Sequence, residues 1–280
     1  MAIDRYAEIK EKIIRYAKEQ EAVRAVIAIG SSTRTDTPAD EYSDLDLLIV
    51  TNDPDPWFSG EISPLFGNVR ISFIEPTLGG GRERRNIYDL DKDVDMIVLT
   101  PEQFDRALKE GVAGWVMNRG YRMLYDPDGY ALPAEQYVHP VLLSPEMTEK
   151  EFTNLVNDFF FHNIWACKKL LRGELWSAKM CIDAYLKNYL LKMIEQHHLV
   201  TAGGDVWHDG RFLDRWADPA VLEALKDCFA HYDSRDCERA LLATHRLFAR
   251  IARTVAEKRG FPYPIDAEAC AAEYLANHMN

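Results

Sequence analysis

From the N-terminus to about Glu19, apolar residues recur at Ile3, Tyr6, Ile9, Ile13, Ile14 and Ala17. This three-and-four spacing predicts an amphipathic helix laid over a core. The pattern then changes. Val23 to Ile29 is apolar and β-branched, stops at Gly30-Ser31-Ser32, and gives way to a polar stretch ending at Ser43. Asp44 to Val50 has the length and branched content of a strand buried on at least one face. Val69 to Ile74 and Val94 to Leu99 read as further strands, and Arg84 to Leu90 as another, followed by a tight turn at Asp91-Lys92-Asp93. Pro101 to Lys109 reads as a helix, so the N-terminal part is a mixed α/β unit.

Between Asp126 and Met147 the periodicity is lost and Pro127, Pro133, Pro140 and Pro145 accumulate, the composition of an extended connection between domains. Thr148 with Glu151 has the form of a capping box. Beyond it the pattern is helical: Thr148 to Leu171, Glu174 to His197, Asp218 to Tyr232, Ser234 to Gly260 and Asp266 to His278. The expected organisation is a mixed β-sheet domain with its linker over residues 1–143 and a mostly helical domain over 144–280.

Charge narrows the class of partner. With 33 basic and 45 acidic side chains the formal net charge is −12, which argues against a broad nucleic-acid surface and for cationic or metal-bridged partners. No apolar run approaches the roughly 18 residues of a membrane span, and the N-terminus carries charges where a signal peptide has its apolar core. A cytoplasmic protein is expected, with its oligomeric state left open. The cysteines, Cys167, Cys181, Cys228, Cys237 and Cys270, form no CxxC and read as reduced, mostly buried thiols.

The chemistry-bearing pattern is Gly30-Ser31 followed, after a polar connection, by Asp44-Leu45-Asp46. Residues two apart on a strand share a face, on the order of 7 Å between Cα atoms. Two adjacent carboxylates with no cation near in sequence repel each other, and a bound Mg²⁺ removes that cost. Glycine lets the backbone approach a bound group, and the Ser31 hydroxyl and nearby amides suit phosphate oxygens. Asp95, opening the strand Val94 to Leu99, completes the cluster if that strand lies beside the others; Asp93 is its rival but falls in the predicted turn. Three carboxylates suit two Mg²⁺ ions and nucleotidyl transfer. The Gly79-Gly80-Gly81-Arg82 segment lacks the P-loop pattern and reads as an ordinary loop.

At this constellation the chain resembles the nucleotidyltransferase superfamily. VRAVIAIGSS, SDLDLLIV and VDMIVLTPEQF, with WACKKLLRGELWSAKMCID, YLKNYLLKMI and HRLFARIARTVAEKRGFPYP in the helical half, narrow the resemblance to the aminoglycoside 6-adenylyltransferases, also called streptomycin adenylyltransferases. The resemblance implies a nucleotidyltransferase domain followed by a helical substrate-binding domain, with ATP and Mg²⁺ used to transfer AMP to the 6-hydroxyl of streptomycin. It implies Asp44 and Asp46 as metal ligands, Asp95 as third ligand or general base, and Gly30 and Ser31 as the phosphate turn. Relatives often carry arginine directly after Gly-Ser; here Ser32 stands there and Arg34, two residues on, is assigned to the nucleotide.

In the helical half, two readings stand side by side. Asp183, Lys187 and Lys192 are either an exposed ion pair with a solvated lysine, or Lys187 and Lys192 reach ATP phosphates while Asp183 receives a cationic group of the drug. Trp165 and Trp176 are either core or a flat surface for a sugar ring, with Trp165 assigned to substrate. Arg211, after a Gly-containing loop, is assigned to phosphate, and His197-His198 to a helix C-terminus. Other readings keep the chemistry but change the acceptor to a different small molecule or a protein hydroxyl. Another makes the chain an antitoxin or binding module, and Arg239 and His245 have the spacing of some helical RNases.

Overall fold

The first apolar stripe forms helix α1 (Ala7–Glu19), which buries Ile9, Ile13 and Ala17. Ile3 lies outside the described residues, which are 4–34, 37–77, 80–139 and 146–279 of this computed structural model. Strands β1 (Val23–Ile29), β2 (Leu45–Thr51), β3 (Val69–Pro76), β4 (Arg82–Tyr88), β5 (Lys92–Leu99) and β6 (Arg122–Tyr125) form one sheet in the order β3-β4-β5-β2-β1-β6. β2 pairs parallel with β5, and the other pairs are antiparallel.

The alternation along β2 divides its side chains between two cores. Leu45, Leu47 and Ile49 pack with Ile9, Ile13, Trp57 and Phe66, Trp57 coming from the short helix α2 (Asp55–Ser59). Leu48 and Val50 point the other way, into a core with Phe104, Leu108, Met117 and Ala134. Those four come from α3 (Pro101–Lys109), α4 (Val112–Met117) and α5 (Ala131–Tyr137). A strand covered on both faces needs a nearly continuous apolar run, and that is how β2 reads.

Three readings of this half change. Asp44 immediately precedes β2 rather than lying in it. Asp93 sits inside β5, because the hairpin turns earlier, at Asp89 to Asp91. The proline-rich connection contains α5, whose start is capped by the Asp126 carboxylate accepting from the Tyr130 and Ala131 amides at 2.7 and 3.0 Å. Pro133 stands in its first turn, where no intrahelical amide is lost. Pro140, Pro145, the 143/144 boundary and Gly79 lie outside the described residues.

The chain divides into two compact units, Met1–Val141 and Leu142–Asn280. The second is helical throughout its ordered elements. α6 (Glu149–Leu171) opens on the Thr148–Glu151 capping box. The single helix expected over 174–197 is α7 (Leu175–Met180), a π turn (Cys181–Tyr185) and α8 (Leu186–Thr201). α8 runs on to Thr201, so of the pair assigned to its C-terminus His198 lies in the last turn, while His197 is buried just before it. After α9 (Leu213–Trp216), α10 (Pro219–Leu225) is shorter than expected, and α11 (Ser234–Arg259) and α12 (Ile265–His278) complete the unit. Phe159 stacks on Phe248 at 3.6 Å in its core. All five cysteines are free and only Cys270 is exposed. Among the described residues no helix is long and apolar enough to cross a membrane.

Candidate active site

The C-terminal end of β1 and the N-terminal end of β2 meet because the two strands run antiparallel, with Ile29 opposite Asp46. On the other side of β2, Asp46 stands opposite Asp95 of β5. Register alone therefore brings the Gly-Ser turn and two aspartates together, and Asp44 joins them from just before β2. One carboxylate oxygen from each of Asp44, Asp46 and Asp95 lies within 4.8 Å of the other two.

Gly30 opens a 3₁₀ turn, Gly30–Thr33, in the left-handed region at φ 68°. A Cβ at this position would lie 2.0 Å from Asp46 Oδ2, so only glycine leaves room for the carboxylate beside the turn. The turn is tied down at its far side. Thr33 Oγ1 lies 2.9 Å from the Gly30 carbonyl oxygen and 2.8 Å from that of Gly120. Arg122 Nη2 donates to the Ser32 carbonyl at 3.1 Å. Ser31 Oγ sits 3.5 Å from the Asp44 carbonyl oxygen, and half-buried Arg34 closes the turn with its amide on the Ser31 carbonyl at 3.4 Å.

The third carboxylate has the most unusual surroundings. Asp95 is 4 % exposed, and its Oδ1 is buried with no hydrogen-bond partner. Burial, then the charges of Asp93, Asp46 and Glu83, push its pKa up to about 8 against the pull of Arg85. A bare acid cluster of this kind is electrostatically costly. The fit to a divalent ion is good: the donors are all carboxylate oxygens, the hard ligands Mg²⁺ selects, and one of them is buried and unsatisfied.

Arg85 was not singled out by the sequence reading. It faces Asp95 across the β4–β5 ladder, places Nη2 3.2 Å from Asp95 Oδ2, and puts Nε 2.8 Å from both Glu83 and Glu75. Burial pushes the Glu83 carboxyl up, against Arg85. The signal was present in the alternation of β4, which puts Glu83 and Arg85 on one face. Arg85→Ala would leave buried Glu83 without its cation, so a stability loss of about 2 kcal/mol is expected in chemical denaturation.

The residues singled out in the helical half do not gather into one cluster. Lys187 donates to the Ile182 carbonyl and to Thr244 Oγ1, both at 2.9 Å, and burial lowers its pKa to about 8. Its ammonium is thus held inside the bundle, 4.0 Å from Asp183, while Asp183 takes its close ion pair from Lys179. Lys192 is exposed, 5.7 Å from the Tyr189 ring. Arg211 is exposed and its carbonyl accepts from the Trp216 indole at 3.0 Å. Trp165 is half-buried against the core. Arg239 is tied to Asp236 and to the Asp227 and Phe229 carbonyls, and His245 is buried 5.2 Å from the Phe160 ring, so this pair forms no open acid–base site.

The profile of the streptomycin adenylyltransferase family matches residues 4–278. An aminoglycoside 6-adenylyltransferase of Bacillus subtilis (strain 168) is 20% identical over 269 residues, covering 92% of each chain. One of Campylobacter jejuni is 23% identical over 195 residues, 67% of this chain and 65% of that one. The crystal structure of an aminoglycoside 6-adenyltransferase from Bacillus subtilis aligns over 96% of this chain and 97% of its own, at 16% identity and a TM-score of 0.47.

Proposed function

Because the chain belongs to the streptomycin adenylyltransferase family, we propose that it transfers AMP from ATP to a hydroxyl of an aminoglycoside, the 6-hydroxyl of streptomycin before others, and so confers resistance to the drug. The observation that carries this reading is the convergence of Asp44, Asp46 and Asp95 beside a glycine turn with no room for a side chain.

Asp44, Asp46 and Asp95 would hold Mg²⁺, which when bound supplies countercharge to the triphosphate and to the leaving pyrophosphate. The chain's own residues supply the rest. The Gly30–Ser31 turn offers its backbone amides and the Ser31 hydroxyl to phosphate oxygens, with Arg34 beside them. The acceptor oxygen bonds to the α-phosphorus in line as the bond to pyrophosphate breaks, and a carboxylate of the cluster takes the hydroxyl proton. Arg85 holds Asp95 in place for that task. The helical unit, residues 144–280, serves as the acceptor-binding domain, with Trp165 and Asp183 assigned to the drug. The net charge of −12 draws in a polycation, an effect that falls with added salt.

The test is to mix the protein with ATP, Mg²⁺ and streptomycin and to follow pyrophosphate and the intact mass of the drug. A mass gain of one AMP is expected. No release with streptomycin or any other aminoglycoside would overturn the reading, whereas release only with another acceptor would correct the substrate.

A further inference from the structure

The edge strand β6 fastens the turn Gly30–Thr33, and a bulge in that strand decides how. Val26 pairs with Tyr125, but Ile27 pairs with Met123 and Ala28 with Arg122, so Leu124 is an extra residue in the ladder. A bulge moves every side chain beyond it to the other face, and bulges are common at sheet edges beside active sites. Without it, the pairing set by Val26 and Tyr125 would continue to Arg122 opposite Ile29, on the face that carries Asp46. With it, Arg122 stands opposite Ala28, which packs into the core on the other face.

The consequence is electrostatic. A guanidinium on the acid face beside Asp46 would pair with that carboxylate and compete for it with a divalent ion. From the opposite face Arg122 reaches the turn instead, and its Nη2 donates to the Ser32 carbonyl at 3.1 Å. Thr33 Oγ1, 2.8 Å from the Gly120 carbonyl oxygen, fastens the next residue to the same segment. The carbonyl and amide of one trans peptide point in opposite directions. With its carbonyl fixed on the β6 side, the Ser32–Thr33 peptide cannot swing that oxygen toward an anion at the amide end of the turn, where it would repel phosphate. A cation on a carbonyl at the far end also polarises the peptides of the turn in the sense that favours such an anion.

We infer that Arg122 is a positioning residue for the nucleotide: it acts through the Ser32 carbonyl, without touching the phosphates, and sets affinity for the triphosphate and not for the metal. This rests on the proposed AMP transfer and deepens it. Two arginines on opposite faces of the sheet then have separate tasks. Arg85 addresses the Asp95 carboxylate, and Arg122 addresses the turn.

The test uses the full chain and two probes, Mg²⁺ alone and Mg²⁺ with ATP, read by thermal shift and calorimetry, with turnover of streptomycin followed as pyrophosphate. Arg122→Ala is expected to weaken ATP binding and raise the KM for ATP at least tenfold, while kcat falls less than threefold and the shift produced by Mg²⁺ alone is unchanged. Arg122→Lys, which restores a cationic donor, should return ATP affinity to within threefold of the parent. Arg24→Ala is the control, because Arg24 stands at the other end of β1 and pairs with Asp128; it should leave ATP affinity unchanged. Arg122 is exposed, and Arg122→Gln serves if the alanine variant folds poorly. Unchanged ATP affinity in the neutral variants, an equal loss in Arg24→Ala, or no recovery with lysine overturns the inference. Turnover by the parent alongside any of those results would spare AMP transfer and sink only the role of Arg122. ATP binding that depends on Arg122, with no turnover of any aminoglycoside, would do the reverse, and a parent that binds no ATP would sink both.

Discussion

Asp46→Asn is expected to lower pyrophosphate release by about a thousandfold while leaving the protein, stripped of divalent ions, at least as resistant to heat as the parent. The two signs have one cause. Asp46 lies opposite Asp95 in the parallel ladder, and its charge is among those that hold the Asp95 proton on. Removing it relieves repulsion that the metal-free fold must sustain. The same charge is one of three that would neutralise a bound cation, and losing a ligand of that kind takes several kcal/mol from the transition state, a factor of about 10³ at 1.4 kcal/mol per decade. Thermal unfolding with chelator and with Mg²⁺ separates the effects. The parent should gain stability on adding Mg²⁺ through ligand linkage, and the variant should not. A variant that keeps its Mg²⁺-induced shift and turns over within tenfold of the parent would show that the acid cluster holds no functional ion.

How much of this was legible in the sequence depends on whether the determining contact is local. The start of α6 was read to the residue because its cap is written within four positions, Thr148 with Glu151, and the structure shows that α3 opens on the same device, Thr100 with Gln103. β1, β2 and β5 were legible from runs of apolar residues. α5 was missed because the four prolines of the connection suggested extended chain, whereas Pro133 occupies a first turn and the cap comes from Asp126, outside the helix. Within the site, glycine and acid-apolar-acid were local signals. That Asp95 rather than Asp93 joins Asp44 and Asp46 depends on the β2–β5 register, which no local pattern states. Arg85 depends on the next register over. Lys187 shows the converse: at helical spacing from Asp183 it read as a surface lysine or a phosphate ligand, and only packing of α8 against α11 gives its ammonium Thr244 as a partner.

The glycine turn allows a sharper separation of fold from function. Gly30→Ala should lose turnover by about a hundredfold or more, far beyond what its effect on stability explains. Two costs arise at this position. A left-handed φ of 68° costs a side-chain-bearing residue about 1–2 kcal/mol, a loss that any comparable glycine would share. The second is specific: the new Cβ would sit 2.0 Å from Asp46 Oδ2, so the carboxylate must rotate away from Asp44 and Asp95. Asp46 stands on a central strand fixed on both sides, which leaves the side chain, not the backbone, to give way. Gly129→Ala is the control, because Gly129 has φ 78° and nothing within 4 Å of its Cβ position. Both variants should lose similar stability in denaturant, and only Gly30→Ala should lose pyrophosphate release and the Mg²⁺-induced thermal shift. If the two variants lose activity in equal measure, the turn does not shape the carboxylate cluster and its glycine serves the backbone alone.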